Sequence, residues 1–243
     1  MTNGTISESQ RKAAKVVGFC YLIALVPAIF AEFYVRGSLI VFDNVALTAQ
    51  NIVNHERIFR LGIVSNLTVF AVDIALITAL YLVLKPVNRR LALLALGWGL
   101  IENAILVIVT LNDLDVLRIL NSADYLQAFE PGQLHALARI SISAHDDTYN
   151  VGLVFAGLRS TAFCYLWFRS RFIPRVLAAW GMLASFLMGA FAFSFIIFPG
   201  LRKVVPVEAY GSLIFLFELA MGFWLLIKGL KSPGITDLHK RVT

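Results

Sequence analysis

Six runs, each close to the ~20 apolar residues that a helix needs to cross a bilayer, dominate this sequence: 14–35, 60–84, 91–112, 149–168, 175–198 and 210–228. Composition agrees with them. Of the 243 residues 59% are hydrophobic and 15% charged, and the mean hydropathy is +0.78, whereas a soluble domain is roughly 45–50% apolar and about 25% charged. So few charges cannot coat a water-facing surface, which excludes disordered, collagenous, coiled-coil and nucleic-acid-binding chains. The runs lack the period-two alternation of barrel strands, so each reads as a helix that satisfies its own backbone hydrogen bonds. The expected fold is all-α: a polytopic membrane protein, with six transmembrane helices in one bundle that takes up 1–243 as a single domain. Pro27 predicts a kink in the first helix, because its ring nitrogen cannot donate a hydrogen bond.

Basic residues set the expected orientation. Arg11, Lys12 and Lys15 precede the first run, Lys85, Arg89 and Arg90 separate the second from the third, and Arg169, Arg171 and Arg175 separate the fourth from the fifth. Lys228, Lys231, Lys240 and Arg241 follow the sixth, which places 13 of the 21 Lys and Arg on one side. The bias toward positive cytoplasmic loops is strongest in short segments such as these. A multi-pass protein of the cell membrane with both termini cytoplasmic is therefore expected. The net charge of +6 is a topological signal, so the bilayer is the expected partner and nucleic acid is not.

Two long connections fall on the outer side, 36–59 and 113–148. The first places Val45, Ala49, Ile52 and Val53 on one helical face, and the second predicts a helix from Pro131, a favoured first-turn residue. Both read as amphipathic helices of the outer interface, packed on the bundle or covering a cavity.

Ionisable residues inside the runs are the expected chemistry. Asp73, Glu102, Arg159 and Glu218 each lie near the middle of a different helix, where a charge is costly unless it faces the interior and finds a partner. Arg159 is expected to pair with one acid, Glu102 first and Glu218 second, leaving at least one carboxyl as a candidate proton donor. These four are the candidate catalytic residues. Asn66 shares a face with Asp73, seven residues on, and Asn103 adjoins Glu102. With Glu32, Tyr149 and Asn150 these make the candidate ligand-binding set. Gly181, Ser185 and Gly189 form a small face that lets another helix approach closely.

A second polar group sits at the outer ends of the runs: Glu32, Arg36, Asn112, Asp113, and the segment HDDTYN at 145–150. Glu32 and Arg36, four apart, predict an intrahelical ion pair. His145, Asp146 and Asp147 lack recognisable ligand spacing, so no metal site is predicted, and a helix N-terminal cap explains the two acids equally well. No Lys lies mid-membrane, and HExxH, GxxxxGK[ST] and GxSxG are all missing from the sequence, so retinal, metalloprotease, nucleotide-hydrolase and serine-hydrolase chemistries have no footing. The identity of any cofactor is not legible in the sequence. Cys20 and Cys164 lie apart in apolar runs and form no redox motif.

FAEFYVRGSLI (30–40), FRLG (59–62), LYLVLKPVNRRLALLA (80–95), YNVGLVFAGLRS (149–160) and YLWFRSRFIPRVLA (165–178) resemble, in order, an uncharacterised bacterial integral-membrane family catalogued as domain of unknown function 4386. The resemblance implies a six-helix bundle and assigns no catalytic residue. It also implies a basic residue near position 99 and a His near 159 in other members, where this chain has Gly99 and Arg159.

Three functions follow from these readings. The first is binding or acid–base transformation of a lipophilic small molecule, by a cyclase, isomerase or hydrolase type of reaction. The second is proton-coupled transport, disfavoured because no inverted repeat is evident. The third is a non-catalytic structural or regulatory role. Oligomeric state is not legible.

Overall fold

The computed structural model describes residues 6–41, 43–121, 129–205 and 207–231. Lys240 and Arg241 of the orientation argument lie outside them. Every regular element among the described residues is helical. Helix α1 is Glu8–Ile29, followed by a π-helical segment, Phe30–Arg36, and a single turn, α2, Gly37–Leu39. Then come α3 (Val45–Asn54), α4 (Glu56–Leu84), α5 (Arg89–Leu120), α6 (Pro131–Ser170), α7 (Arg175–Ile197), a 3-10 turn at Pro199–Lys203, and α8 (Val207–Ile227).

Among the described residues five helices are long and apolar enough to cross a membrane: Glu8–Leu39, Glu56–Leu84, Arg89–Leu120, Pro131–Ser170 and Arg175–Ile197. The sixth run forms α8, apolar over Gly211–Ile227. Two expected boundaries move furthest. Hydropathy ends the third run at 112 but its helix continues to Leu120, and it starts the fourth at 149 but its helix begins at Pro131. The helix expected from Pro131 is thus not a separate element but the first part of a 40-residue helix. Hydropathy stops at Asp113 and at His145–Asp147, whereas backbone hydrogen bonding continues through them because these side chains have protein partners.

Local chemistry explains the starts. Ser7 and Gln10 close a reciprocal capping box ahead of α1, Ser7 N donating to Gln10 Oε1 and Gln10 N to Ser7 Oγ, each at 3.1 Å, which satisfies two otherwise orphaned amides. Asn44 caps α3 by accepting from Leu47 N at 2.9 Å. The expected face of α3 is half correct: Ala49 and Ile52 are buried, whereas Val53 is exposed.

The chain divides into two compact units, whose boundaries fall inside α1, α4, α5 and α6. One comprises Met1–Leu22, Ile74–Leu100 and Leu153–Thr243. Its core includes Trp167, Phe163, Phe217, Met221 and Leu225, and its helices touch through glycines. A Cβ on Gly157 of α6 would lie 2.5 Å from the Gly189 Cα of α7, and one on Gly181 would run into the Phe217 ring of α8. Gly18 of α1 and Gly222 of α8 meet in the same way. The small face of α7 therefore does what its composition predicts. The other unit, Ile23–Asp73 and Ile101–Gly152, is built round Val35, Ile52, Phe59, Ile63, Val116 and Ile142. Ile52 brings α3 into that core, so α3 packs there.

Candidate functional site

The second unit holds a charged cluster, and its first member comes from an irregularity in the backbone. Pro27 has no N–H to give to the helix, and three residues later regular bonding widens into the π-helical segment, where Gly37 N–H reaches back five residues to Glu32 O. Such π turns are rare and recur at functional sites. This one carries Glu32 and Arg36.

Arg36 is the hub. Its Nη2 donates to Asp146 Oδ1 at 2.6 Å, its Nε lies 3.5 Å from Glu32 Oε2, and its Nη1 lies 3.7 Å from Asp113 Oδ1. The Glu32–Arg36 intrahelical pair thus forms as expected. It is one edge of a group that joins the π segment to α5 and α6. Asp113 Oδ1 also receives His145 Nδ1 at 2.8 Å, with Asp113 and His145 side chains only 5% and 2% exposed. The carboxylate can only accept, so Nδ1 carries the proton of that bond and Nε2 is the nitrogen left to take up or release one. Tyr149 stacks on the imidazole, with centroids 6.3 Å apart and planes 14° apart. Asn66 Nδ2 donates to Glu32 Oε1 at 3.4 Å, and Asn112 Nδ2 to Thr148 Oγ1 at 3.2 Å.

In chemical terms this is a buried imidazole held in one tautomer by a carboxylate, beside a guanidinium that holds that carboxylate and two others. Glu32 and Asp146 are each 30% exposed and mark the open edge. Among the described residues no three His, Cys, Asp or Glu come together as a metal site. The expected capping role of Asp146 and Asp147 is overturned: α6 begins at Pro131, well before them, and Asp146 is turned to Arg36.

This chain belongs to the family described as domain of unknown function, DUF4386, which matches residues 16–229. No curated protein and no solved structure matches it.

The polar and ionisable residues inside the apolar runs of this family member divide between the units. In the second, Asn103 Nδ2 donates to Asp73 Oδ2 at 2.6 Å, Glu102 and Asn103 are buried, and so is Asn150. In the first, Arg159 is buried and Glu218 half-buried. The Arg159 stem takes the room that Gly99 leaves, since a Cβ at 99 would lie 2.7 Å from Arg159 Cδ. Positions 99 and 159 therefore share one space, and a side chain larger than glycine at 99 would meet the Arg159 stem. Arg36, Asp113 and His145 stand outside the candidate catalytic set drawn from the sequence. The signal for them was present: one arginine and several acids all fell at the outer ends of the runs.

Proposed function

We propose that this protein spans the membrane six times with both termini cytoplasmic, and that it binds a lipophilic small molecule and acts on it by acid–base chemistry. The bound tautomer of the Asp113–His145 pair carries this reading. His145 Nε2 is the proton-transferring atom, Asp113 holds the ring and balances the imidazolium that forms, and Arg36 orients Asp113. A buried dyad of this kind suits isomerisation, cyclisation or hydrolysis of a substrate that arrives from the apolar phase. Its test is a comparison of lipid-soluble compounds, by mass spectrometry, in cells making the wild type, His145→Asn or no protein. At equal membrane levels, one compound should change with the wild type and return to the empty-cell level with His145→Asn. An unchanged effect in the variant rejects the dyad.

A second reading places the proton donor at Asp73, because Asn103 holds it at 2.6 Å. Glu102 and Glu218 are the other candidate donors, and Arg159 is a candidate anchor for an anionic group. Asp73→Asn abolishing the same compound change while His145→Asn preserves it would favour this reading. Proton-coupled transport would draw on the same acids.

Orientation has its own test. A single cysteine at exposed Glu130 should react in intact cells with a membrane-impermeant thiol reagent, and one at exposed Pro86 should not. The opposite pattern rejects termini-inside topology.

A further inference from the structure

We infer that the ends of α6 and α8 form a seat for the headgroup of an anionic phospholipid, with Arg171 as its central contact. The segments 169–175 and 228–231 contain five cations, Arg169, Arg171, Arg175, Lys228 and Lys231, and no carboxylate. All five are exposed. The two segments are tied together, since Lys231 N donates to Phe172 O at 2.8 Å.

The backbone singles out Arg171. A left-handed residue just past a helix is the position where glycine is favoured, and Gly229 takes it after α8 with φ 65°. After α6 the same conformation, φ 59°, is adopted by Arg171. A Cβ makes that conformation unfavourable for an L-residue, and strain of this kind collects where a side chain is needed for binding. The turn is held by Ser170 Oγ, which donates to Trp167 O at 3.0 Å and accepts from Phe172 N at 3.2 Å. The flanking cations lie over aromatic rings, Lys231 Nζ 5.2 Å from the Trp224 centroid and Arg175 Cζ 5.4 Å from that of Phe168. Cations and aromatic rings together mark the headgroup level of a bilayer, and the negative surface of the cytoplasmic leaflet matches their sign. The leaflet assignment rests on the orientation proposed above.

The experiment is thermal unfolding of the detergent-solubilised protein with added dioctanoyl phosphatidylglycerol, dioctanoyl phosphatidylcholine or sodium phosphate. The wild type should gain stability with phosphatidylglycerol alone. Arg171→Gly should start about 2–4 °C higher, as relief of the strained turn implies for a chain of this size. It should nevertheless need about fivefold more phosphatidylglycerol for its half-maximal shift, the share of one surface cation. Lys231→Gln should show the same weakened response without the higher starting point, and Arg171→Lys should retain the wild-type response. An equal phosphatidylglycerol response in Arg171→Gly, or an equal effect of phosphate or phosphatidylcholine on the wild type, overturns the seat. The readout needs neither topology nor activity. An intact lipid response with reversed labelling at Pro86 rejects the orientation alone, and normal labelling without a lipid response rejects the seat alone.

Discussion

Replacing Arg36 with Met should destabilise the protein by about 3 kcal/mol, the low end for breaking a buried ion pair. The guanidinium lies within 4 Å of three carboxylates, those of Asp146, Glu32 and Asp113, and its loss leaves them facing one another round an apolar side chain. The low end applies because Glu32 and Asp146 are each 30% exposed and water screens part of the repulsion. Arg36→Lys should recover only part of the loss, since one ammonium cannot span three partners as the planar fork does. Combining Arg36→Met with Asp146→Asn removes both ends of the 2.6 Å contact and should be more stable than the two single losses predict. Thermal unfolding of the four proteins in one detergent measures this coupling. Strict additivity would show that Arg36 and Asp146 do not interact.

Gly157→Ala is the second large effect. The new Cβ would meet backbone atoms of α7, 2.5 Å from Gly189 Cα, 2.8 Å from Gly189 N and 3.1 Å from Ser185 O. No rotamer change can clear a backbone contact, so α6 and α7 must separate. Overpacking typically costs about 1–3 kcal/mol; this substitution belongs at the upper end, partly offset by the roughly 0.5–1 kcal/mol that Ala gains over Gly in a helix. Gly97→Ala is the control, because nothing lies within 4 Å of its Cβ position. It should be neutral or slightly stabilising in the same thermal assay. Equal unfolding temperatures for the two variants would contradict the close α6–α7 approach.

The helices were legible because a long apolar run admits few other structures, and the small face at Gly181, Ser185 and Gly189 was legible because spacing alone puts those residues together. Its partner Gly157 was not: a glycine in one helix says nothing about which helix it meets. Helix ends were misplaced where polarity and backbone bonding diverge. Asp113 and His145 end an apolar run without ending a helix, because each satisfies the other. The hub at Arg36 needed the fold. Its bond to Asp146 joins residues 110 apart in sequence, and the π turn that carries it leaves only Pro27 as a trace in the sequence. Asp73 and Asn103 were both named as site residues, yet their contact across 30 positions was equally hidden.

If Asp113 and His145 move a proton on a lipophilic molecule, the compound bound to the purified protein will depend on that pair. Asp113→Asn keeps the side chain's size but cannot balance an imidazolium, so it should retain unconverted substrate. Mass spectrometry of organic extracts should then find one lipophile enriched with Asp113→Asn, and with the wild type either its product or much less of it. For isomerisation or cyclisation the two compounds should be isomers or differ by the mass of water, and for hydrolysis the two fragments together should exceed the substrate by that mass. The same lipophile at the same occupancy in both proteins, or ordinary membrane lipids alone in each, would mean that the pair transfers no proton to a bound substrate.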